Sequence, residues 1–555
     1  MPATSLENIS TADGRSAPVT EGEMARTLAA PSLPLPLLTA SVPWPVVARI
    51  AAWAIIVLGA LVRIREFVFA RSLWIDEASA AISIASRDFA GLTKPLENSQ
   101  TAPIGYIMLT EVSDVLFGPG EMSLRLLPLI CGIATLVLFY QLLRRLLQPA
   151  EGLVALALAA LLNSMVYFSN EFKPYGVDAA ATCALVLCAV TIAQHRPTWP
   201  RIALFTGVAC LSVWVSFTAT FIVAAVGIPL ITLYWLRGQR SDSIRVAMAC
   251  GIAAVNFAAN YLLFMKQLTG NPLMERVWSH LFMSIPPSPH WLVGRFVDFF
   301  TDPFTATFAG LAAAMLLLGV LWHWRHNRPV LAIALLPVLF TLIASSLHLY
   351  PAGTRVLLFG MPLALLLVAG GLRFLLDLHH DGRMIFAVVA ALLLLHPCVE
   401  RVEAIKAPFV KEEIRPVLEE MARHVQVGDT IYLYSNSHFH YDYYVTHAGL
   451  IPELKAFEPI RGSNGRFNWH AYTNDLNKLR GKPRVWLVFA HIWKWDGIDE
   501  DRLFLHLLAQ MGARPVPMHG AATQVKPILY PGAAAFLFDF TQARPLPLPP
   551  GTFFP

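Results

Sequence analysis

The sequence carries little charge for its length. Only 14% of its 555 residues are Asp, Glu, Lys or Arg, and 56% are hydrophobic. A soluble globular chain carries about 25% charged residues, so an ordinary soluble protein is excluded and a polytopic membrane protein is predicted. The formal net charge of +5 does not indicate a nucleic-acid partner. The basic residues lie between apolar segments, where they act as topology signals.

The sequence also lacks a metal-binding cysteine pattern, a signal peptide and a glycine-rich phosphate loop in its carboxyl-terminal part. The six cysteines lie in or beside apolar stretches without metal-binding spacing, so we expect them to be packing residues without a disulfide. The segment 1–45 lacks the basic and apolar regions of a signal peptide, and its Ser, Thr, Pro and Ala content predicts a disordered cytoplasmic tail. The carboxyl-terminal part has no glycine-rich phosphate loop.

Apolar segments of about 20 residues, the length of a membrane-spanning helix, recur along most of the chain. They predict about eleven transmembrane helices, at 46–64, 124–143, 153–168, 175–193, two within 202–235, 246–265, 306–322, 330–347, 356–376 and 384–395. Arginines occupy alternate connections, which the positive-inside rule assigns to the cytoplasm. The remaining polar clusters are therefore predicted to lie together on the outer side of the membrane.

The composition changes near residue 400, where strand and amphipathic helix patterns replace the apolar segments. Strands are predicted at 430–434, 484–490 and 533–540, and helices at 411–424 and 502–511. The sequence thus predicts a transmembrane domain, 46–398, with an outer loop at 65–123. An extracytoplasmic α/β domain, 399–555, follows it. We expect this domain to cover the transmembrane domain or to recruit a binding partner, rather than to hold a second active site.

Two adjacent acids, Asp76 and Glu77, follow the first apolar segment within the sequence LWIDEA at 73–78. Neighbouring residues on a helix point about 100° apart, so these two carboxylates face different surroundings and cannot have the same role. One could face a reaction centre while the other braces the loop. Taken alone, the pair is more typical of two solvated acids at the start of a short helix.

A second polar cluster, EFKPYGVD at 171–178, lies between two apolar segments and contains Glu171, Lys173, Tyr175 and Asp178. Interfacial anchoring explains the lysine and the tyrosine but leaves Glu171 unexplained. Asp178 lies one turn into an apolar segment, where an acid is normally paired or functional.

A third cluster, HLYPAGTR at 348–355, places Arg355 at the start of an apolar helix, a position that suits a phosphate. An interfacial arginine that binds ordinary lipid headgroups is an equally good interpretation. If the three clusters converge, Arg355 and Lys173 could hold a lipid-linked phosphate while a carboxylate receives a proton from an acceptor hydroxyl. That arrangement suits sugar transfer from a polyprenyl phosphate.

Five segments carry a resemblance to a known superfamily. They are WIDEA at 74–78, QTAPIGY at 100–106, FGPGEMSLRL at 117–126, YFSNEFKPY at 167–175 and YPAGTR at 350–355. The chain resembles the GT-C glycosyltransferases over about 46–395. It is more closely similar to bacterial relatives of protein mannosyltransferases and of the lipid A aminoarabinose transferase. The resemblance implies a helical polytopic GT-C fold and an inverting, lipid-phosphate-sugar-dependent hexosyl- or pentosyltransferase.

The resemblance also implies roles for particular residues. Asp76 is expected to be the catalytic base, Glu77 its neighbour in the motif, and Glu171 the second acid. The remaining predicted site residues are Lys173, Arg355 and Tyr175 for the donor phosphate, and Gln100, Tyr106, Asp178, His348 and Tyr350 for the substrate. The enzyme is expected in the bacterial inner membrane, with its site on the periplasmic face. Its acceptor would be an envelope lipid, a polysaccharide or a protein.

Two departures from the family and several alternatives stay open. The chain has APIGY at 102–106 where the family often has Pro-Pro-Leu-Tyr, and Lys173 where it often has Arg. Some relatives bind a divalent metal, but the sequence shows no decisive ligand set. We therefore expect no required cofactor. The alternatives are a glycan ligase or polymerase that uses a diphosphate carrier, a lipid or glycan transporter, and a non-enzymatic scaffold.

Overall fold

Helices built from the apolar segments form most of the chain, and a small mixed sheet follows them. The structure is a computed structural model, in which residues 43–268, 271–378, 381–465, 469–495, 497–517 and 527–546 are described. These residues belong to one compact unit, Leu38–Pro555. The predicted tail, 1–45, lies outside the described residues except for its last three positions.

The α-helices of the described residues are numbered in chain order. Before the sheet they are α1 (Val46–Phe69), α2 (Ile75–Ser86), α3 (Ile104–Phe117), α4 (Glu121–Leu146), α5 (Pro149–Leu161), α6 (Asn163–Tyr167), α7 (Tyr175–Gln194), α8 (Trp199–Val215), α9 (Ala219–Leu236), α10 (Arg240–Asn260), α11 (Pro272–Trp278), α12 (Pro289–Thr301), α13 (Ala309–His326), α14 (Arg328–Ser346), α15 (Met361–Leu376) and α16 (Gly382–Lys406). In the carboxyl-terminal unit they are α17 (Ile414–His424), α18 (His438–Tyr441), α19 (Trp469–Lys478) and α20 (Glu500–Met511). Short 3-10 or π turns lie at Gly91–Thr93, Phe168–Asn170, Tyr261–Met265, Lys266–Leu268, Ser279–Leu281, Thr354–Gly360, Asp442–His447 and Pro452–Leu454.

Eight helical segments among the described residues are long and apolar enough to cross a membrane, or nine if the bent pair Pro149–Leu161 and Asn163–Asn170 forms one span. The eight are Val46–Phe69, Glu121–Leu146, Tyr175–Gln194, Ala219–Leu236, Arg240–Leu268, Arg328–Ser346, Thr354–Leu376 and Gly382–Lys406. The predicted polytopic helical fold is confirmed, and these eight or nine helices compare with about eleven predicted spans. The other two predicted segments are also helical, but α8 has only 17 residues and α13 ends in polar residues.

The bend between α5 and α6 is 55° and occurs at Leu162, which has an extended backbone. Such a break frees backbone carbonyls, which a lipid environment cannot satisfy. Arg63 of α1 satisfies them, because its fully buried guanidinium donates to the carbonyls of Ala159, Ala160 and Met165 at 2.9–3.3 Å. The bend precedes the buried turn that carries Glu171.

The carboxyl-terminal unit is built on a mixed sheet. Its strands are β1 (Thr430–Leu433), β2 (Ile460–Arg461), β3 (Val485–Ala490), β6 (Arg514–Pro515), β7 (Ile528–Tyr530) and β8 (Ala533–Asp539), and a separate hairpin comprises β4 (Lys494–Trp495) and β5 (Ile498–Asp499). The order is β2-β1-β3-β8-β6, with β7 also paired to β8. Strand β1 is parallel to β2 and β3, whereas β8 is antiparallel to β3. The three predicted strands and both predicted helices are confirmed.

The sheet unit shares a hydrophobic core with the helix that carries Asp76. This core combines side chains of α2, α17 and one face of the sheet, including Ala78, Ala81, Val417, Leu418, Ile431 and Trp486. The other face packs against α19 and α20 through side chains such as Tyr472, Leu476, Phe504 and Leu508. The domain boundary near residue 398 stays a prediction, but α2 and the sheet do not pack as independent bodies.

We expect Arg63→Ala to destabilise the fold by about 3 kcal/mol or more, because several buried carbonyls lose their donors at once. Thermal unfolding in detergent measures the effect. Arg49→Ala is the matched control, since Arg49 lies on the same helix and is exposed. Equal unfolding midpoints for the two variants would contradict the proposed bracing of the bend.

Candidate active site

Glu77 is held inside the protein by a buried ion pair. Arg125 of α4 donates to its two carboxylate oxygens at 2.9 and 2.5 Å, and the backbone N–H of Phe172 donates at 2.6 Å. The backbone N–H of Trp74 also reaches Glu77 at 3.4 Å, as in half of a capping box. Burial alone would raise the pKa of Glu77, but the charge and hydrogen bonds of Arg125 lower it below the ordinary value.

The same guanidinium fixes the loop that leads into α2. Arg125 donates to the carbonyls of Arg71 and Ser72 at 2.6 and 3.2 Å. Arg71 in turn donates to the carbonyl of Asn170 at 2.7 Å. The loop before α2 and the turn before Glu171 are therefore linked through buried arginines.

Asp76 points away from this buried pair and meets a cation from a distant segment. Nη2 of Arg355 lies 2.6 Å from Oδ2 of Asp76, and about a quarter of each side chain is exposed (24% and 26%). Nε of Arg355 donates to the hydroxyl of Tyr175 at 3.2 Å. The Tyr350 hydroxyl donates to the carbonyl of Val356 at 2.8 Å, which supports the turn that carries Arg355. This ion pair therefore remains accessible from outside.

Glu171 forms the buried wall of the site. Its carboxylate accepts a hydrogen bond from Nε1 of Trp74 at 2.6 Å and lies 4.0 Å from Nζ of Lys411. Its second oxygen has no hydrogen-bond partner among the described residues. Burial raises the pKa of Glu171, and Lys411 partly opposes this rise.

Lys411 enters the site from the segment that joins α16 to α17. Its Nζ lies 3.7 Å from the centre of the Trp74 ring and 4.7 Å from that of Tyr167, both within cation–π range. The guanidinium carbon of Arg355 lies 5.1 Å from the same Trp74 ring. Burial lowers the pKa of Lys411, although the nearby Glu171 carboxylate opposes the change.

Lys173 is also present but lies deeper than Lys411. Its Nζ donates to the side-chain carbonyl of Gln100 at 2.7 Å, and only 8% of Lys173 is exposed. Burial lowers its pKa, although the negative charge of Asp76 works in the opposite direction. The structure therefore brings together six of the predicted residues: Asp76, Glu171, Lys173, Tyr175, Arg355 and Gln100.

Two further predicted site residues are buried. Glu77 is fully buried and both of its oxygens are occupied, so it braces the loop, and its catalytic role stays a prediction. Tyr106 is 1% exposed, and its ring stacks on Phe172 with a centroid separation of 5.9 Å. The sequence motif revealed their importance but not the direction of their side chains.

Two other predicted substrate contacts lie outside this cluster. Asp178 is buried beside the hydroxyls of Ser216 and Thr218, because the first turn of α7 directs it into the helix bundle. His348 is exposed and stacks on Phe282 with a centroid separation of 4.8 Å. Neither contact joins these residues to Asp76 or Glu171, so their roles as substrate contacts stay predictions.

The carboxyl-terminal unit holds the loop before α2 through two adjacent acids. Glu412 accepts from the backbone N–H of Ile75 at 3.0 Å and is within hydrogen-bond distance of His440 (3.1 Å) and His491 (2.6 Å). Glu413 accepts from the backbone N–H of Ser72 at 3.2 Å. The first amide of α2, that of Ile75, which has no partner within the helix, is thus satisfied from the carboxyl-terminal unit, and Ser72 is held just before the helix.

Sequence analysis missed Lys411, Glu412 and Arg125 as functional residues. Arg125 lies inside a quoted motif, FGPGEMSLRL, and an arginine within an apolar segment is a usable signal. Lys411 and Glu412 gave no such signal, because a Lys-Glu-Glu sequence before an amphipathic helix is typical of a solvated helix start.

The described residues include no group of three or more His, Cys, Asp or Glu side chains arranged to hold a metal ion. The two acids nearest the site, Asp76 and Glu171, are each associated with a cation. This environment fits an anion better than a divalent metal. The expectation that no cofactor is required stays a prediction.

Residues 101–267, which are 167 of 555 or about 30% of the chain, match the family described as dolichyl-phosphate-mannose-protein mannosyltransferase. This match confirms the resemblance seen in the motifs and supports a membrane glycosyltransferase. It includes Glu171, Lys173 and Tyr175 but ends before Arg355. No curated protein matches the chain in sequence.

Solved structures provide further similarities. ArnT from Cupriavidus metallidurans bound to undecaprenyl phosphate is 14% identical, with 88% of this chain and 99% of that chain covered at a TM-score of 0.46. The archaeal oligosaccharyltransferase AglB from Archaeoglobus fulgidus, in complex with an inhibitory peptide and a dolichol-phosphate, is 12% identical, with coverages of 79% and 69% and a TM-score of 0.46. Both TM-scores are below 0.5, so the proposals below depend on the residues of this chain and on the family match.

The contacts of Glu412 predict a pH-dependent contribution to stability. Burial would raise its pKa, but hydrogen bonds and charge from His440 and His491 lower it to about 2. A depressed carboxyl pKa stabilises the fold above the unfolded value, near 4.5, and this contribution is lost as the pH falls towards 2. We expect Glu412→Gln to cost about 3 kcal/mol at pH 5.5, and the difference from wild type to shrink below about pH 4.5.

Thermal unfolding of both proteins in detergent between pH 5.5 and pH 3 measures this difference. Glu453→Gln serves as the control, because Glu453 is an exposed acid of the same unit. A difference between wild type and Glu412→Gln that stays constant across this range would rule out the carboxylate as its source.

Proposed function

We propose that the chain is a membrane glycosyltransferase that moves a sugar from a polyprenyl-phosphate carrier to an acceptor at the periplasmic face of the bacterial inner membrane. The observation that carries this proposal is the accessible ion pair between Asp76 and Arg355. Its partners lie 279 residues apart in sequence. A carboxylate paired with a guanidinium can serve a reaction in which a phosphate leaves and a hydroxyl loses its proton. The guanidinium can bind the phosphate, and the carboxylate can accept the proton.

Donor binding would convert this ion pair into a catalytic arrangement. A guanidinium has five N–H donors and binds phosphate oxygens readily, so an incoming phosphate can share Arg355. The carboxylate of Asp76 would then lose part of its neutralising partner and become a better proton acceptor. Because the donor itself produces this change, the resting ion pair protects the base until substrate arrives.

The proposed reaction is a single displacement at the anomeric carbon. The acceptor oxygen forms a bond to this carbon while the bond between carbon and phosphate oxygen breaks. The bonding electron pair leaves with the polyprenyl phosphate, whose growing charge Arg355 stabilises. Asp76 takes the proton of the acceptor hydroxyl. A base on the face opposite the leaving group gives inversion.

The family match favours a carrier with a single phosphate, and hence a glycosyltransferase over a ligase or polymerase that uses a diphosphate carrier. Either a hexose or a pentose could be the transferred sugar. Envelope lipid, polysaccharide and protein are the acceptor classes available at this face. An assay with labelled sugar on polyprenyl monophosphate or diphosphate, and membranes of a deletion strain as acceptor source, distinguishes these reactions from transport without covalent change.

We expect Asp76→Asn to lower the transfer rate by about 10²–10⁴-fold, the range typical of a lost general base. The variant keeps its shape, so its unfolding midpoint should stay near that of wild type. Asp88→Asn, an exposed acid beyond the same helix, is the matched control and should retain activity. Transfer at the wild-type rate by Asp76→Asn would disprove the assigned role.

We expect Arg355→Ala to weaken donor binding by about 10–100-fold, because a charge-assisted contact to phosphate is lost. The measurement is the donor KM together with direct binding of a polyprenyl phosphate in detergent. Arg276→Ala removes an exposed charge from another part of the chain and should leave both values unchanged. Unaltered donor affinity in Arg355→Ala would count against the phosphate site.

A further inference from the structure

Four cations lie near Asp76 and Glu171, and they differ in their access to an incoming anion. Arg71 is only 4% exposed and is bonded to the carbonyl of Asn170. Lys173 is almost fully buried, and its ammonium group is already bonded to Gln100. Arg355 and Lys411 keep 24% and 30% of their side chains exposed. Only the latter two therefore combine positive charge with access from outside.

Arg355 and Lys411 also share a common platform. Both cations lie against the ring of Trp74, at 5.1 and 3.7 Å from its centre. The Nε1 of the same ring donates to Glu171, so the indole is fixed in place. An anion that bridges two cations beside one rigid ring would gain two charge-assisted contacts without reordering the site.

The position of Lys411 depends on the carboxyl-terminal unit, which the proposed topology places on the outer side of the membrane and which is called the outer unit below. The next residue, Glu412, bonds to the backbone of Ile75, and Glu413 bonds to that of Ser72 and donates its own N–H to the carbonyl of Pro531 at 2.8 Å. These contacts fix the short segment that carries Lys411 between the loop before α2 and the sheet. The lysine can reach the site only while this segment is docked.

We propose that Lys411, and not Lys173, is the second cation that contacts the phosphate of the lipid-linked donor, and that the outer unit supplies it. This inference rests on the proposed function for the identity of the donor. Lys173 then supports Gln100 and the turn around Glu171 from within. The carboxyl-terminal unit thereby contributes a binding residue to a site that otherwise consists of loops between membrane helices.

The test compares Lys411→Met, Lys411→Arg and Lys173→Met in the full chain, with Lys406→Met, at the exposed last residue of α16, as the control. The first measurement is binding of undecaprenyl phosphate in detergent, which needs no turnover. We expect Lys411→Met to weaken binding by about 10-fold or more, and Lys411→Arg to restore most of it. Lys406→Met should bind as wild type does.

Lys173→Met should lower the unfolding midpoint while changing phosphate binding less than Lys411→Met. Glu412→Gln keeps every site cation but loosens the connecting segment, so it should also weaken binding. A Lys411→Met protein that folds and binds as wild type does would overturn the inference. So would a larger loss of binding in a folded Lys173→Met protein.

Transfer assays separate this inference from the proposed function. If wild type transfers sugar and Lys411→Met shows an unchanged donor KM, the role of Lys411 is wrong and the transferase proposal stands. If wild type binds undecaprenyl phosphate through Lys411 but transfers no sugar from polyprenyl phosphate, the transferase proposal fails and the phosphate site stands.

Discussion

The buried ion pair between Glu77 and Arg125 is the constraint on which the site depends. Two charges removed from water are tolerated only when each meets a partner with good geometry. Here the carboxylate receives Arg125 and a backbone N–H, while the guanidinium also holds two loop carbonyls. Rotation of α2 would break all of these bonds together. Asp76, one residue earlier and about 100° away, is thereby held towards Arg355.

The outer unit belongs to this arrangement and does not merely cover it. Its sheet and α17 share a core with α2, and its acids bond to the first amide of that helix and to the amide of Ser72 in the preceding loop. The same contacts determine the position of Lys411. A helix bundle alone would leave both the core face and the amino-terminal end of α2 without partners.

The sequence predicted the architecture well because bilayer length and strand periodicity are local signals. It also predicted which segments converge, since the alternation of basic connections assigns them to one side. Side-chain direction was less predictable. Asp178 and Tyr106 lie in the expected segments but face the protein interior, because neighbouring helices determine which side of a turn is buried. Lys411 was not predictable from local pattern, since its role depends on a contact made across hundreds of residues.

The bent helix pair shows the same difference between local signals and non-local contacts. Composition identified every apolar helix but could not show that one of them breaks at Leu162. A break of this kind depends on Arg63, whose partners are almost one hundred residues away in sequence. Non-local hydrogen bonding of this sort has no counterpart in a hydropathy profile.

The shared core of α2 and the sheet has a consequence for biosynthesis. Asp76 is synthesised well before strand β8, which lines that core. The helix that carries Asp76 therefore lacks part of its hydrophobic core until β8 has also been made. Its final packing follows the synthesis of the sheet.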